Sequence, residues 1–135
     1  MSGLFLIVGS IFVFVAALIH LLIFFMESVL WSKPAIWKRF GVKSEDEAVT
    51  LRPMAFNQGF YNVFLAVGAG VGLILIGTQN FHQAGIALSI FALLSMLLAA
   101  VVLIVSNPKL ARAAAIQGVA PLLGLVSLSI ALTQS

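Results

Sequence analysis

The stretch GLFLIVGSIFVFVAALIHLLIFFMESVLW occupies residues 3–31, and its polar interruptions are Ser10, His20, Glu27 and Ser28. An α-helix rises about 1.5 Å per residue and the hydrocarbon core of a bilayer is about 30 Å thick, so this run is long enough to cross a membrane. It lacks a basic start and is too long for the apolar core of a cleavable signal peptide. We therefore predict a retained membrane-spanning helix.

The remainder of the 135-residue chain has the same character, with 62% hydrophobic and only 8% charged residues overall. A soluble domain carries about 25% charged residues. The composition therefore predicts a multi-pass protein of the cell membrane that contacts the lipid bilayer. We expect an all-α fold, an integral membrane four-helix bundle that forms a single transmembrane domain over residues 1–135. The predicted spans are residues 3–31, 54–76, 85–106 and 114–133.

The residue types restrict the available chemistry. Because the chain has no cysteine, it offers no disulfide, thiolate nucleophile or thiolate metal site. Its histidines and carboxylates show neither HxxxH nor HExxH spacing, so we predict no metal site and no cofactor. Any chemistry must use histidine, carboxylate, amide, hydroxyl or backbone groups.

Residues 32–53 form the one substantial loop and hold most of the charge. Ser44 followed by Glu47 matches a capping box, which predicts a short interfacial helix over about residues 45–51. Proline suits the first position of a helix, so Pro53 is expected to open the second span. Aromatic side chains are common in the surface layer of a membrane, where we expect three anchors. These are Trp31, Trp37 and Phe40.

The basic residues predict the orientation of the chain. All seven lie in the first and third connections, which share one side of the membrane. Lysine and arginine concentrate in cytoplasmic loops, so the long first loop should be cytoplasmic and both termini outside. Because these charges flank the membrane, we predict no nucleic-acid partner. The residues are Lys33, Lys38, Arg39, Lys43, Arg52, Lys109 and Arg112.

Two polar motifs predict a site. His20 and Glu27 are close to two helical turns apart, so in a regular helix they share one face. The segment FNQGFYN at residues 56–62 enters the membrane from the same side. Polar groups are costly against lipid, so we expect both sets to face inward and to form a polar pocket in the cytoplasmic half. The predicted ligand-binding residues are His20, Glu27, Trp31, Asn57, Gln58, Tyr61 and Asn62. Interhelical packing is the alternative role for these side chains.

The same residues carry a family resemblance. HLLIFFMESVLW in the first span, together with FNQGFYN in the second, resembles the uncharacterised family of small bacterial four-helix membrane proteins called domain of unknown function 1304. The matching positions are His20, Glu27, Trp31, Asn57, Gln58, Gly59, Tyr61 and Asn62. The resemblance implies a four-helix protein of the bacterial inner membrane, and it implies no established activity.

Three functions fit these residues. The first is binding or transport of a small amphipathic or cationic ligand, because a membrane carboxylate such as Glu27 is suited to exchange a proton for a cation. The second is a membrane-embedded enzyme that acts on a lipid or isoprenoid, with His20 and Glu27 as catalytic acid and base. The third is a structural or accessory subunit. Gly68 and Gly72 form a GxxxG step that fits either a homodimer or packing within one chain.

Overall fold

The computed structural model describes residues 2–134 and confirms the all-α prediction. Helix α1 spans Ser2–Phe24 and continues into a π-helical turn, Phe25–Val29. Helix α2 is the short Pro34–Trp37, and α3 is the long Glu45–Ile76. Helices α4, His82–Ser106, and α5, Ala111–Thr133, complete the chain. Single 3-10 turns at Lys38–Phe40, Gln79–Phe81 and Pro108–Leu110 link these elements.

Four segments of the described chain are long and apolar enough to cross a membrane. They are 27, 32, 28 and 26 residues long. Their outward faces carry large apolar side chains such as Phe14, Phe64, Phe91 and Val105. Length, composition and exposed apolar surface together fit a multi-pass membrane protein in contact with lipid. In chain order the segments are Gly3–Val29, Glu45–Ile76, Gln79–Ser106 and Pro108–Thr133.

The four long helices pack in a ring, in which α1 and α4 each contact both α3 and α5. Small residues permit this close packing. A Cβ added at Gly85 would meet the α3 backbone, 2.7 Å from the carbonyl carbon of Leu75 and 2.8 Å from the carbonyl oxygen of Gly72. Close approach of backbones is the usual role of glycine in membrane helices. The main core contains Val13, Ala16, Ala17, Ala66, Ala69, Ala92, Leu93, Met96, Ala120 and Leu128.

Helix α3 begins as predicted, but it continues further than expected. The Ser44 hydroxyl accepts a hydrogen bond from the backbone N–H of Glu47 at 3.2 Å, which confirms the cap. The helix then runs through Pro53 without interruption. The predicted separate interfacial helix and the helix start at Pro53 are therefore wrong. A proline inside a helix removes one hydrogen bond, and Ala48 and Ala55, on both sides of Pro53, are buried in one cluster with Trp31 and Trp37. Helices α4 and α5 likewise begin about one turn before the predicted residues 85 and 114.

The first loop folds back onto the beginning of α3. Trp31 and Trp37 are only 6% and 5% exposed, and the Trp31 indole N–H donates to the carbonyl oxygen of Ala48 at 2.9 Å. Phe40 packs against this cluster and is partly buried. The prediction that both tryptophans are surface anchors is therefore wrong. The extension of α3 beyond the predicted span supplies small residues against which the indoles pack.

Candidate functional site

The candidate site lies where the π-helical turn after α1 crosses α3. Within this turn the backbone N–H of Leu30 donates to the carbonyl oxygen of Phe25 at 2.8 Å, which is the i to i+5 pattern of a π-helix. Glu27 is the central residue of the turn. A π-turn holds one more residue per turn than its α-helical neighbours, and such turns occur often at functional sites. The regular helix assumed in aligning His20 with Glu27 is therefore wrong.

A glycine on α3 allows the crossing. The Ser28 hydroxyl lies where a Cβ of Gly59 would stand, and the Phe24 carbonyl oxygen would be 3.2 Å from that Cβ. The Ser28 hydroxyl also donates to the carbonyl oxygen of Phe56 at 2.9 Å. The two backbones thus approach closely at one point, with Glu27 beside it in sequence. Sequence reasoning did not assign a role to Ser28, although the glycine in FNQGFYN was a signal for a close approach.

Glu27 has one hydrogen-bond partner in the described chain. The Asn62 side-chain amide donates to its Oε2 atom at 3.0 Å, and the same amide nitrogen donates to the carbonyl oxygen of Gln58 at 3.0 Å. The Glu27 side chain is half-buried. Within residues 2–134, no lysine, arginine or histidine forms an ion pair with it. The structure therefore joins Glu27 to Asn62, as a carboxyl group held by a neutral donor.

Aromatic rings flank the crossing. The rings of Phe24 and Phe60 lie 5.3 Å apart at 77°, in an edge-to-face arrangement. Phe25 stacks beside Phe24 at 5.3 Å, and Phe56 beside Phe60 at 5.0 Å. These residues adjoin Glu27, Ser28 and Gly59 along the two helices. These four phenylalanines give the crossing an aromatic, apolar surface.

His20 belongs to the core. Its side chain is only 1% exposed, and its Nδ1 atom lies 2.9 Å from the carbonyl oxygen of Ala16, one turn earlier in α1. A carbonyl oxygen can only accept, so Nδ1 carries the proton in this bond. Among the described residues no hydrogen bond links His20 to Glu27 or to the polar residues of α3. A ligand-binding or catalytic role of His20 stays a prediction.

The predicted inward orientation of the α3 residues is wrong for three of them. Asn57, Gln58 and Tyr61 are exposed, and the exposed fraction of Tyr61 is 58%. The buried stripe of α3 consists instead of small residues, which let α1 and α4 approach closely. Asn62 lies at the border of that stripe and can reach Glu27. The small residues are Ala48, Ala55, Gly59, Ala66, Ala69 and Gly72.

Trp31 is also separate from the carboxyl group, because it lies in the cluster of the first loop and its indole N–H is already bound. No group of three or more histidine or acidic side chains in residues 2–134 could hold a metal ion. The structure thus brings together Glu27 and Asn62 from the predicted set. Ligand binding by the other residues stays a prediction.

These features define an all-α protein with four helices of membrane-spanning length and a half-buried carboxyl group at a helix crossing. The model of one family of proteins of unknown function, DUF1304, matches residues 14–129, and the chain belongs to this family. The resemblance seen in the sequence is thereby confirmed. No curated protein and no solved structure matches the chain.

Proposed function

We propose that the chain is a membrane protein that binds a small amphipathic organic cation at Glu27 and transports it in exchange for a proton. The observation that carries this proposal is the half-buried Glu27 carboxyl group, whose hydrogen-bond partner in the described chain is the neutral Asn62 amide. An unpaired carboxylate in a membrane is costly, and either a proton or a cation removes that cost. A carboxyl group that can be neutralised by either a proton or a cation can exchange one for the other.

The surroundings of Glu27 support an organic cation over a metal ion. Phe24, Phe25, Phe56 and Phe60 supply apolar and aromatic surface at the crossing. Such rings attract a weakly hydrated organic cation through their faces. A metal ion would require several ligands, and no group of three or more histidine or acidic side chains in the described chain could supply them. A ligand with an apolar body and one positive charge satisfies both parts of the site.

The charge distribution supports an opening toward the cytoplasm. The connections that carry all seven basic residues lie at the end of the molecule to which the π-turn leads. Because lysine and arginine concentrate on the cytoplasmic side, we place this end there and both termini outside. Glu27 would then be reached from the cytoplasmic leaflet.

Binding of tetraphenylphosphonium, a lipophilic cation, to the full chain in lipid nanodiscs tests this proposal. Breaking a buried ion pair costs about 3 to 5 kcal/mol, and partial exposure lowers that value, so E27Q should weaken binding by about tenfold or more. The matched control is E45Q, which removes the same charge from the exposed first turn of α3. Proton release that accompanies binding and disappears in E27Q is the expected sign of exchange.

Equal affinity of E27Q and E45Q for tetraphenylphosphonium would show that Glu27 does not take part in binding. Absence of any binding by a folded wild-type chain would favour the structural or accessory role instead. The alternative of an acid–base enzyme has less support, because His20 is held in the core by Ala16 and is not hydrogen-bonded to Glu27. An enzyme would require the two groups to act on one substrate.

A further inference from the structure

The exposed face of α3 carries polar side chains at membrane depth. A hydrocarbon core about 30 Å thick takes about 20 helical residues, so a span that ends at Ile76 reaches back to Asn57. Tyr61 then lies about one turn inside it. Within residues 2–134, the side chains of Asn57, Gln58 and Tyr61 make no hydrogen bond. Acyl chains offer no donor or acceptor, so a polar group inside the hydrocarbon, such as the Tyr61 hydroxyl, needs a partner from outside the chain, while Asn57 lies at the boundary.

Five of the outward-facing residues of α3 form one stripe along the helix. Asn57, Tyr61, Phe64, Gly68 and Val71 are separated by alternate steps of four and three residues. This is the spacing at which two long helices pack along each other. Four of the five are exposed and Gly68 is partly so, on the side of the helix opposite its buried small residues. We call these five residues the α3 seam.

The two glycines of the GxxxG step have different surroundings. A Cβ at Gly72 would meet the Ser89 hydroxyl and lie 3.0 Å from the Ser89 backbone nitrogen, so Gly72 serves the packing of α4. A Cβ at Gly68 would have nothing within 4 Å. Gly68 thus leaves room at the α3 seam for the backbone of another helix. Any dimer through α3 must use Gly68 without Gly72, in contrast to the paired use predicted from the sequence.

We propose that the α3 seam binds a second copy of this chain in a parallel, two-fold symmetric dimer. Copies inserted in the same orientation place identical residues at identical depth, so Asn57 meets Asn57 of the other copy. A carboxamide both donates and accepts hydrogen bonds, so this residue is complementary to itself. Two chains related by a two-fold axis can therefore satisfy each other's amides, which a lipid chain cannot do.

Cysteine cross-linking in membranes tests the dimer, because the chain contains no native cysteine. Reporters on the α3 seam are F64C and V71C. Matched controls are V67C and I74C, which lie on exposed positions of the same helix outside the seam. All four positions face outward, so the substitutions leave the core intact. Oxidation should cross-link the two seam reporters and leave the two controls monomeric.

The contribution of Asn57 to the dimer is tested in double variants that keep V71C as the cross-linking reporter. Interhelical hydrogen bonds in membranes are weak, and two reciprocal bonds correspond to about an eightfold change in association. N57L should therefore raise by about eightfold the protein-to-lipid ratio at which half of the chain cross-links. V102L, a substitution on the exposed face of α4, should leave that ratio unchanged.

Equal cross-linking at seam and control positions would overturn the proposal, as would association that is the same in N57L and V102L. A monomeric chain would also overturn it and would assign this face to lipid headgroups. The dimer goes beyond the proposed cation site, and its test does not depend on Glu27.

Discussion

Replacing Gly59 by alanine should separate α1 from α3 at their closest point. The new Cβ would clash with the Ser28 hydroxyl and lie 3.1 Å from the Ser28 Cβ and 3.2 Å from the Phe24 carbonyl oxygen. Overpacking of this kind costs about 1 to 3 kcal/mol. Displacing Ser28 from the Phe56 carbonyl removes a hydrogen bond of about 0.6 kcal/mol.

Helix propensity opposes this loss, because alanine is favoured over glycine by up to about 1 kcal/mol. The net expectation for G59A is a decrease of about 0.6 to 2.6 kcal/mol in the free energy of unfolding. G70A is the matched control on the same helix, since a Cβ there has nothing within 4 Å. We expect G70A to be neutral or slightly stabilising.

Reversible unfolding in mixed detergent micelles measures both variants. A second substitution, S28A, removes the hydroxyl that the new Cβ would meet, so G59A should cost less in the S28A background than alone. If G59A were as stable as G70A, the close crossing at Gly59 would be refuted. If the S28A background made no difference, Ser28 would not be the residue that limits the approach.

Three further substitutions test other contacts, each by the free energy of unfolding in the same micelles. W31F keeps a ring but loses the bond to the Ala48 carbonyl, and should cost about 1 kcal/mol more than W37F, a comparable substitution in the same cluster. S44A removes the N-cap of α3 and should cost about 1 kcal/mol, with faster hydrogen exchange confined to the first turn; an unchanged exchange rate would contradict the cap. Among the described residues the Ser89 hydroxyl has no hydrogen-bond partner although it is buried, so S89A should stabilise the chain by about 1 kcal/mol, and a loss of stability would indicate a partner for that hydroxyl.

Local rules predicted some features of this fold well. The long apolar runs predict the four candidate spans, because length and composition are sufficient for that inference. Ser44 predicts the start of α3, because a cap depends on residues only three positions apart. Pro53 shows where a local rule fails. Proline suits the start of a helix, but α3 has already begun eight residues earlier, at Glu45. The packing of Ala48 and Ala55 on this earlier part depends on residues of the first loop, which a local rule does not include.

The candidate site was only partly predictable for a related reason. The pairing of Glu27 with Asn62 depends on a π-turn, and hydropathy does not distinguish a π-turn from an α-helical one. The cost of polar groups in lipid marks the FNQGFYN segment as unusual for a membrane helix. It did not indicate whether each side chain is satisfied inside the chain, as Asn62 is, or faces outward, as Tyr61 does.

The π-turn Phe25–Val29 also fixes the length of chain between the membrane helix and the loop cluster. Inserting one residue into this turn would exceed what a π-turn accommodates and would rotate the following residues by about 100°. The Trp31 indole would then lose its hydrogen bond to the carbonyl oxygen of Ala48, although no residue of the loop cluster had been changed. Viable single-residue insertions should therefore be rare between Phe24 and Trp31, where hydropathy alone would allow them.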